Sequence, residues 1–105
     1  MLATSDLKSR LDDVRGRIAA CRRAVEDDSG ASVVTAAVVR EFDSKADKAN
    51  RHADDDASAR DSVIELEQAG DSAKAAVEAD PGAAPATTQA VQDAHLAICI
   101  LKTEI

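Results

Sequence analysis

The stretch Arg51–Glu67, RHADDDASARDSVIELE, decides the architecture of this chain. Three consecutive aspartates, Asp54, Asp55 and Asp56, interrupt a segment with neither Gly nor Pro from Ser32 to Ala69. Read as a turn, they divide it into two helices. Asp56 or Ser58 can cap the second of these, and both Ser58–Asp61 and Ser62–Glu65 have capping-box spacing. Read as the wet side of a rod, they leave one helix over 32–79, about 70 Å long at 1.5 Å per residue. No residue between Asp43 and Ser62 is bulkier on the apolar side than Ala. Nothing there forces a bend, and the balance leans to the continuous helix. A calcium loop is the third reading, with Asp54, Asp56, Ser58 and Glu65 at ligand positions one, three, five and twelve. It fails because Ala59 stands where the sharp turn needs Gly, and Asp61 where an apolar residue belongs.

Outward from this stretch the chain reads as helix. Leu7, Leu11, Val14, Ile18, Cys21 and Val25 follow one another at alternating spacings of 4 and 3, a seam of coiled-coil type. Asp6 with Arg10 and Asp13 with Arg17 are oriented for i,i+4 ion pairs. Thr4 or Ser5 can cap this helix, and Gly30 can end it as a left-handed residue. Gly16 is a weak point within it, or a place of close backbone approach. Val38, Phe42, Ala46, Ala49 and Ala53 then share one side, although the Val-rich start, SVVTAAVVREF, has some strand propensity. Val63, Leu66, Gly70, Ala73 and Val77 resume the seam. Asp80-Pro81-Gly82 reads as a turn, and Pro85 suits the first turn of a last helix. In that helix Val91, Ala94, Ile98, Leu101 and Ile105 repeat the spacing. Leu96, Ala97, Cys99 and Ile100 make its other sides apolar too, so it is expected at the bundle centre or at a subunit interface. The fold class is all-α: an antiparallel helical bundle in a single helical domain over 1–105. It has either three helices with a long, dimerising central one, or four of similar length near 4–28, 32–53, 57–79 and 85–104.

Composition adds an expectation of assembly. Of 47 apolar residues 23 are Ala, and Phe42 is the lone aromatic residue. The core is therefore short of large side chains, and a second copy is the simplest way to cover more surface. A homo-oligomer is expected, a dimer in preference, with another protein's helix as the alternative partner. The net charge of −7 is concentrated in 54–80, where nine carboxylates face only Arg60 and Lys74. No basic stripe and no set of aromatic rings is available for nucleic acid. There is no signal-like hydrophobic segment at the start of the sequence and no apolar run long enough for a bilayer, so a cytoplasmic location is the default and no membrane association is expected.

Motifs with chemistry are scarce. His52 and Asp56 are four apart and could share a metal ion, and so could His95 and Cys99 if Cys21 approached them. The bland reading gives two buried, reduced thiols on apolar stripes and a His at a core edge. Glu65 is followed by Gln68 where a di-iron helix needs His. DAHLAICILK lacks the Lys-Gly placement of a phosphotransfer His, and a Trp-x-Gly helical hairpin is ruled out by the absence of Trp. No catalytic, cofactor-binding or metal residue is assigned, and no cofactor. The expected function is a non-enzymatic helical protein-interaction module that self-associates through its heptad seams. The alternatives are a ligand- or metal-binding bundle around His95 and Cys99, and a small acidic inhibitor or antitoxin-like protein presenting 54–80. Packing is assigned to Leu7, Leu11, Val14, Ile18, Val25, Phe42, Val63, Leu66, Val77, Val91, Ile98 and Leu101.

Overall fold

Among the described residues, a computed structural model of the chain has four α-helices: α1 (Thr4–Glu26), α2 (Val33–Arg51), α3 (Asp56–Glu78) and α4 (Pro85–Glu104). The structure describes residues 3–53 and 55–105, apart from the side chains of Thr4 and Asp56. Among the described residues there is no strand. α1 and α3 each make their main contacts with both α2 and α4, so the helices stand at the corners of a square. The whole measures 41 × 20 × 17 Å. All twelve residues assigned to packing are buried, each at most 7% exposed.

The continuous helix over 32–79, and the three-helix alternative with it, gives way to a break after Arg51. At the end of α2 the His52 N–H is shared between the carbonyls of Lys48 and Ala49, a tightened last turn. Folding back buries Ala53 and Ala59 completely and brings Lys48 within 3.1 Å of Glu65. A rod would leave the faces of Phe42 and Val63 uncovered in a single chain, so the turn wins without a Gly or Pro to compel it. The N-cap position of α3 is Asp55, whose carboxylate accepts from the Ser58 hydroxyl at 2.6 Å. The expected cap by Asp56 and the first calcium position, Asp54, lie outside the described residues. Ala59 is buried inside α3 rather than exposed in a loop.

Other expectations shift by a residue or a role. α1 starts from Ala3 with no side-chain cap; Ser5 lies inside the helix, and the cap expected from Thr4 lies outside the described residues. Val39 rather than Val38 takes the innermost place on α2, in line with Thr35 and Phe42. α4 sits at a corner and is not wrapped, which leaves Leu96 60% and Ile100 45% exposed. Gly30 does not terminate α1 in a left-handed conformation, since no described residue has positive φ. It is small because a Cβ there would strike the Gly82 carbonyl, and a Cβ on Gly82 would strike the Gly30 carbonyl. Gly16, by contrast, has nothing within 4 Å of the place a Cβ would occupy. Gly16→Ala should therefore stabilise the fold by about 0.5–1 kcal/mol. A rise in the urea midpoint checks this.

The architecture repeats. Displaced by 52 positions, the offset from Asp28 to Asp80, α1 falls on α3 and α2 on α4. Leu7, Leu11, Val14, Ile18, Cys21 and Val25 fall on Ala59, Val63, Leu66, Gly70, Ala73 and Val77, and every one of these is buried. Thr35, Val39, Phe42, Ala46 and Ala49 fall likewise on the buried Thr87, Val91, Ala94, Ile98 and Leu101. The two connecting loops carry the same signature, Asp-x-Gly-Ala-x-x-x-Thr, at 28–35 and 80–87. The fold is thus two helix pairs built to one plan.

The signature residues lock the two pairs together by exchange. Asp28 accepts from the Ala84 N–H at 2.8 Å and the Thr87 hydroxyl at 2.7 Å, satisfying the start of α4. Asp80 does the same for the start of α2, accepting from the Ser32 N–H at 2.8 Å and the Thr35 hydroxyl at 2.7 Å. Each carboxylate also binds the Gly N–H of its own loop. These donors hold Asp80 well below the usual carboxylate range, at about 2, and lower Asp28, with the backbone N–H bonds from Ser32 and Ala84 as the leading causes. The unfolded chain therefore binds protons first as pH falls. For Asp80 the stabilisation is whole above pH 3.8 and is lost between that value and about 2. Asp80→Ala should lower the thermal midpoint at neutral pH and differ little from the parent near pH 2. Melting curves across that range check it.

Candidate functional site

The face where α1 meets α4 departs from the duplicated plan. Leu96 and Ile100 are a turn apart on the outside of α4, above a floor made by Val14 and Ala97. Arg10, Asp13 and Arg17 of α1 and Asp93 of α4 rim the groove. Arg17 is held by Asp13 at 3.2 Å. Arg10 turns away from its expected partner Asp6 and pairs with Glu104, which ties the end of α4 to α1. Along α4 the exposed residues Gln89, Asp93, Leu96, Ile100 and Thr103 recur at spacings of 4, 3, 4 and 3. This is a second seam, on the opposite side of the helix from the buried one.

The opposite side of the bundle carries the equivalent face. The equivalent face of α2 and α3 carries Ser44 where α4 has Leu96, Lys45 where it has Ala97, and Lys48 where it has Ile100. Lys45 lies 3.8 Å from both Glu41 and Glu65, and Lys48 3.1 Å from Glu65, so charges cover that face. The same backbone is thus served by Ser and two Lys on one side and by Leu, Ala and Ile on the other. Folding does not call for the apolar trio. Among the described residues the remaining exposed large apolar ones, Val33, Val34 and Ile64, lie on α2 and α3, outside this groove.

The residues singled out for metal chemistry are dispersed. Cys21 is buried and donates to the carbonyls of Arg17 and Ala90, between α1 and α4. His95 and Cys99 turn instead toward α3, where His95 Nε2 lies 2.6 Å from Asp71 Oδ1. The Cys99 sulfur is 3.6 Å from that same nitrogen. Burial pushes the Cys21 thiol up to about 12. Burial, then the carboxylates of Glu67 and Asp71, raise that of Cys99. Both thiols are protonated at neutral pH and poor nucleophiles. His52 is exposed at the end of α2, while the side chain of its suggested companion, Asp56, lies outside the described residues. Among the described residues no group of three or more His, Cys, Asp or Glu side chains is arranged to hold a metal ion. None of the described helices is long and apolar enough to cross a membrane. No family model matches the chain, and no curated protein or solved structure is significantly similar to it.

Proposed function

We propose that this chain is a non-enzymatic helical interaction module, an antiparallel four-helix bundle that self-associates through the α1/α4 groove. The order of the cross-helix pairs supports the antiparallel part. Residue numbers rise on one helix as they fall on its neighbour, from Arg10–Glu104 to Cys21–Ala90 and from Lys102–Glu67 to Gln92–Glu78. Because the residues of the heptad seams are buried within one chain, they are not the surface assigned to self-association in this reading. That role falls to the outer seam.

The observation that carries this reading is the contrast between Leu96, Ala97 and Ile100 and their counterparts Ser44, Lys45 and Lys48. An exposed apolar pair that the fold does not need is a contact surface. Charge selects the occupant. The chain carries −7, so two copies repel over most of their surface. The groove rim balances two Arg against two Asp, which lets copies meet there without a like-charge penalty. The surface is small, so the interface belongs with weak ones below about 1,200 Å². Sedimentation up to roughly millimolar concentration should show reversible dimers for the parent. Leu96→Asp should lose them while keeping its helical signal. A parent that stays monomeric, or a Leu96→Asp protein that dimerises equally well, refutes the assignment.

A further inference from the structure

Resting on that reading, we infer that the two copies meet with their α4 helices antiparallel, Leu96 of each on Ile100 of the other and Arg10 beside the partner's Asp93. Leu96 and Ile100 flank the level of Ile98 symmetrically. A twofold axis across the helices at that level stacks each of them on the other's equivalent. It also carries the acidic flank of the seam away from itself, so that Asp93 faces the partner's Thr103. A parallel, in-register pairing would instead set Asp93 against the partner's Asp93, a like-charge contact at the edge of an apolar strip.

The arginine gives the antiparallel arrangement its attraction. Arg10 reaches Glu104 at the far end of α4. At the same distance on the other side of Ile98 lies Gln92, next to Asp93. The twofold therefore brings the Arg10 guanidinium to the partner's Asp93. Both residues rim the groove on the α1 side, and the axis keeps those sides matched. With several donors on one planar group, Arg10 can hold Glu104 and the partner's carboxylate together. Each dimer contains the pair twice.

Charge reversal in the full-length protein tests the geometry. Arg10→Asp and Asp93→Arg should each weaken dimerisation by about tenfold, since two attractive contacts become repulsive in every dimer. The double variant R10D/D93R should bind clearly more tightly than either single variant but short of the parent, because the interchain pair is restored with its polarity exchanged while the Arg10–Glu104 pair within each copy is not. Circular dichroism on each variant separates lost contact from lost folding. A second probe reads direction alone. Leu96→Cys and Ile100→Cys proteins, both carrying Cys99→Ser, are mixed and oxidised. The mixed disulfide should dominate. A double variant as weak as the single ones, or a predominance of same-site disulfides, overturns the antiparallel pairing and leaves the dimer standing. A parent that never dimerises removes both readings.

Discussion

Ile98→Asp is expected to leave the chain largely unfolded in water. Ile98 is fully buried on the inner side of α4, where a carboxylate must either take up a proton or stay charged without solvent. Either route costs about 4 kcal/mol or more, in the range reserved for buried unpaired charges. Domains of this size have a total stability of about 5–15 kcal/mol, and a core with so many Ala belongs near the bottom of that range. Loss of the helical signal, or a urea midpoint near zero, is the result to look for. Leu96→Asp, two residues away, introduces the same carboxylate and should melt close to the parent. Two residues turn a helix by about 200°, which exchanges the buried seam for the outer one. An Ile98→Asp protein as stable as the parent would show that this side of α4 is not core.

Phe42→Ala is the second large effect. Phe42 is the largest side chain in the core, fully buried, and its ring lies where a Cβ on Gly70 would be only 3.1 Å away. Its loss removes the transfer free energy of a ring and leaves a cavity, together about 3–5 kcal/mol. The duplication predicts a repair. At the equivalent place in the other half, Ile18 and Ala94 stand in for Gly70 and Phe42, and both are fully buried. The two halves thus fill one space with the bulk on opposite helices. Phe42→Ala with Gly70→Ile copies the Ile18–Ala94 solution and should recover more than half of the loss. Gly70→Ile alone should destabilise, because its Cβ crowds the Phe42 ring and His95. Urea denaturation of the three variants forms a double-mutant cycle. A double variant no better than Phe42→Ala would break the equivalence of the two halves.

Much of this fold is written plainly in the sequence. The seams of α1, α3 and α4 follow from spacing alone, because each helix has one inward stripe with an apolar residue at every step of it, Gly70 on α3 being the one step without a side chain. Apart from the two ends at the central break, helix ends are legible within two residues, with Pro85 opening α4 as its locked φ suits. The break after Arg51 is not legible. Local propensity permits both rod and turn, and the choice depends on what covers Phe42 and Val63 from a distance. Val38 and Val39 cannot be ranked by spacing until the start of α2 is fixed by Ser32, whose hydroxyl accepts from the Thr35 N–H. The duplication is present in the sequence as DSGASVVT and DPGAAPAT, and comparison of the chain with itself at that offset is enough to find it. The groove has a weaker signal. Leu96 and Ile100 stand out as apolar on an already apolar helix, and only the exchange with Ser44 and Lys48 marks them as additional to folding.

Small-angle scattering over a concentration series tests the central claim most directly. In the dilute limit the radius of gyration should approach that of one folded chain, 13.3 Å over its Cα atoms. It should climb reversibly toward millimolar concentration for the parent and stay flat for Leu96→Asp. A radius that never changes with concentration, or that of an extended rod at every concentration, contradicts the account.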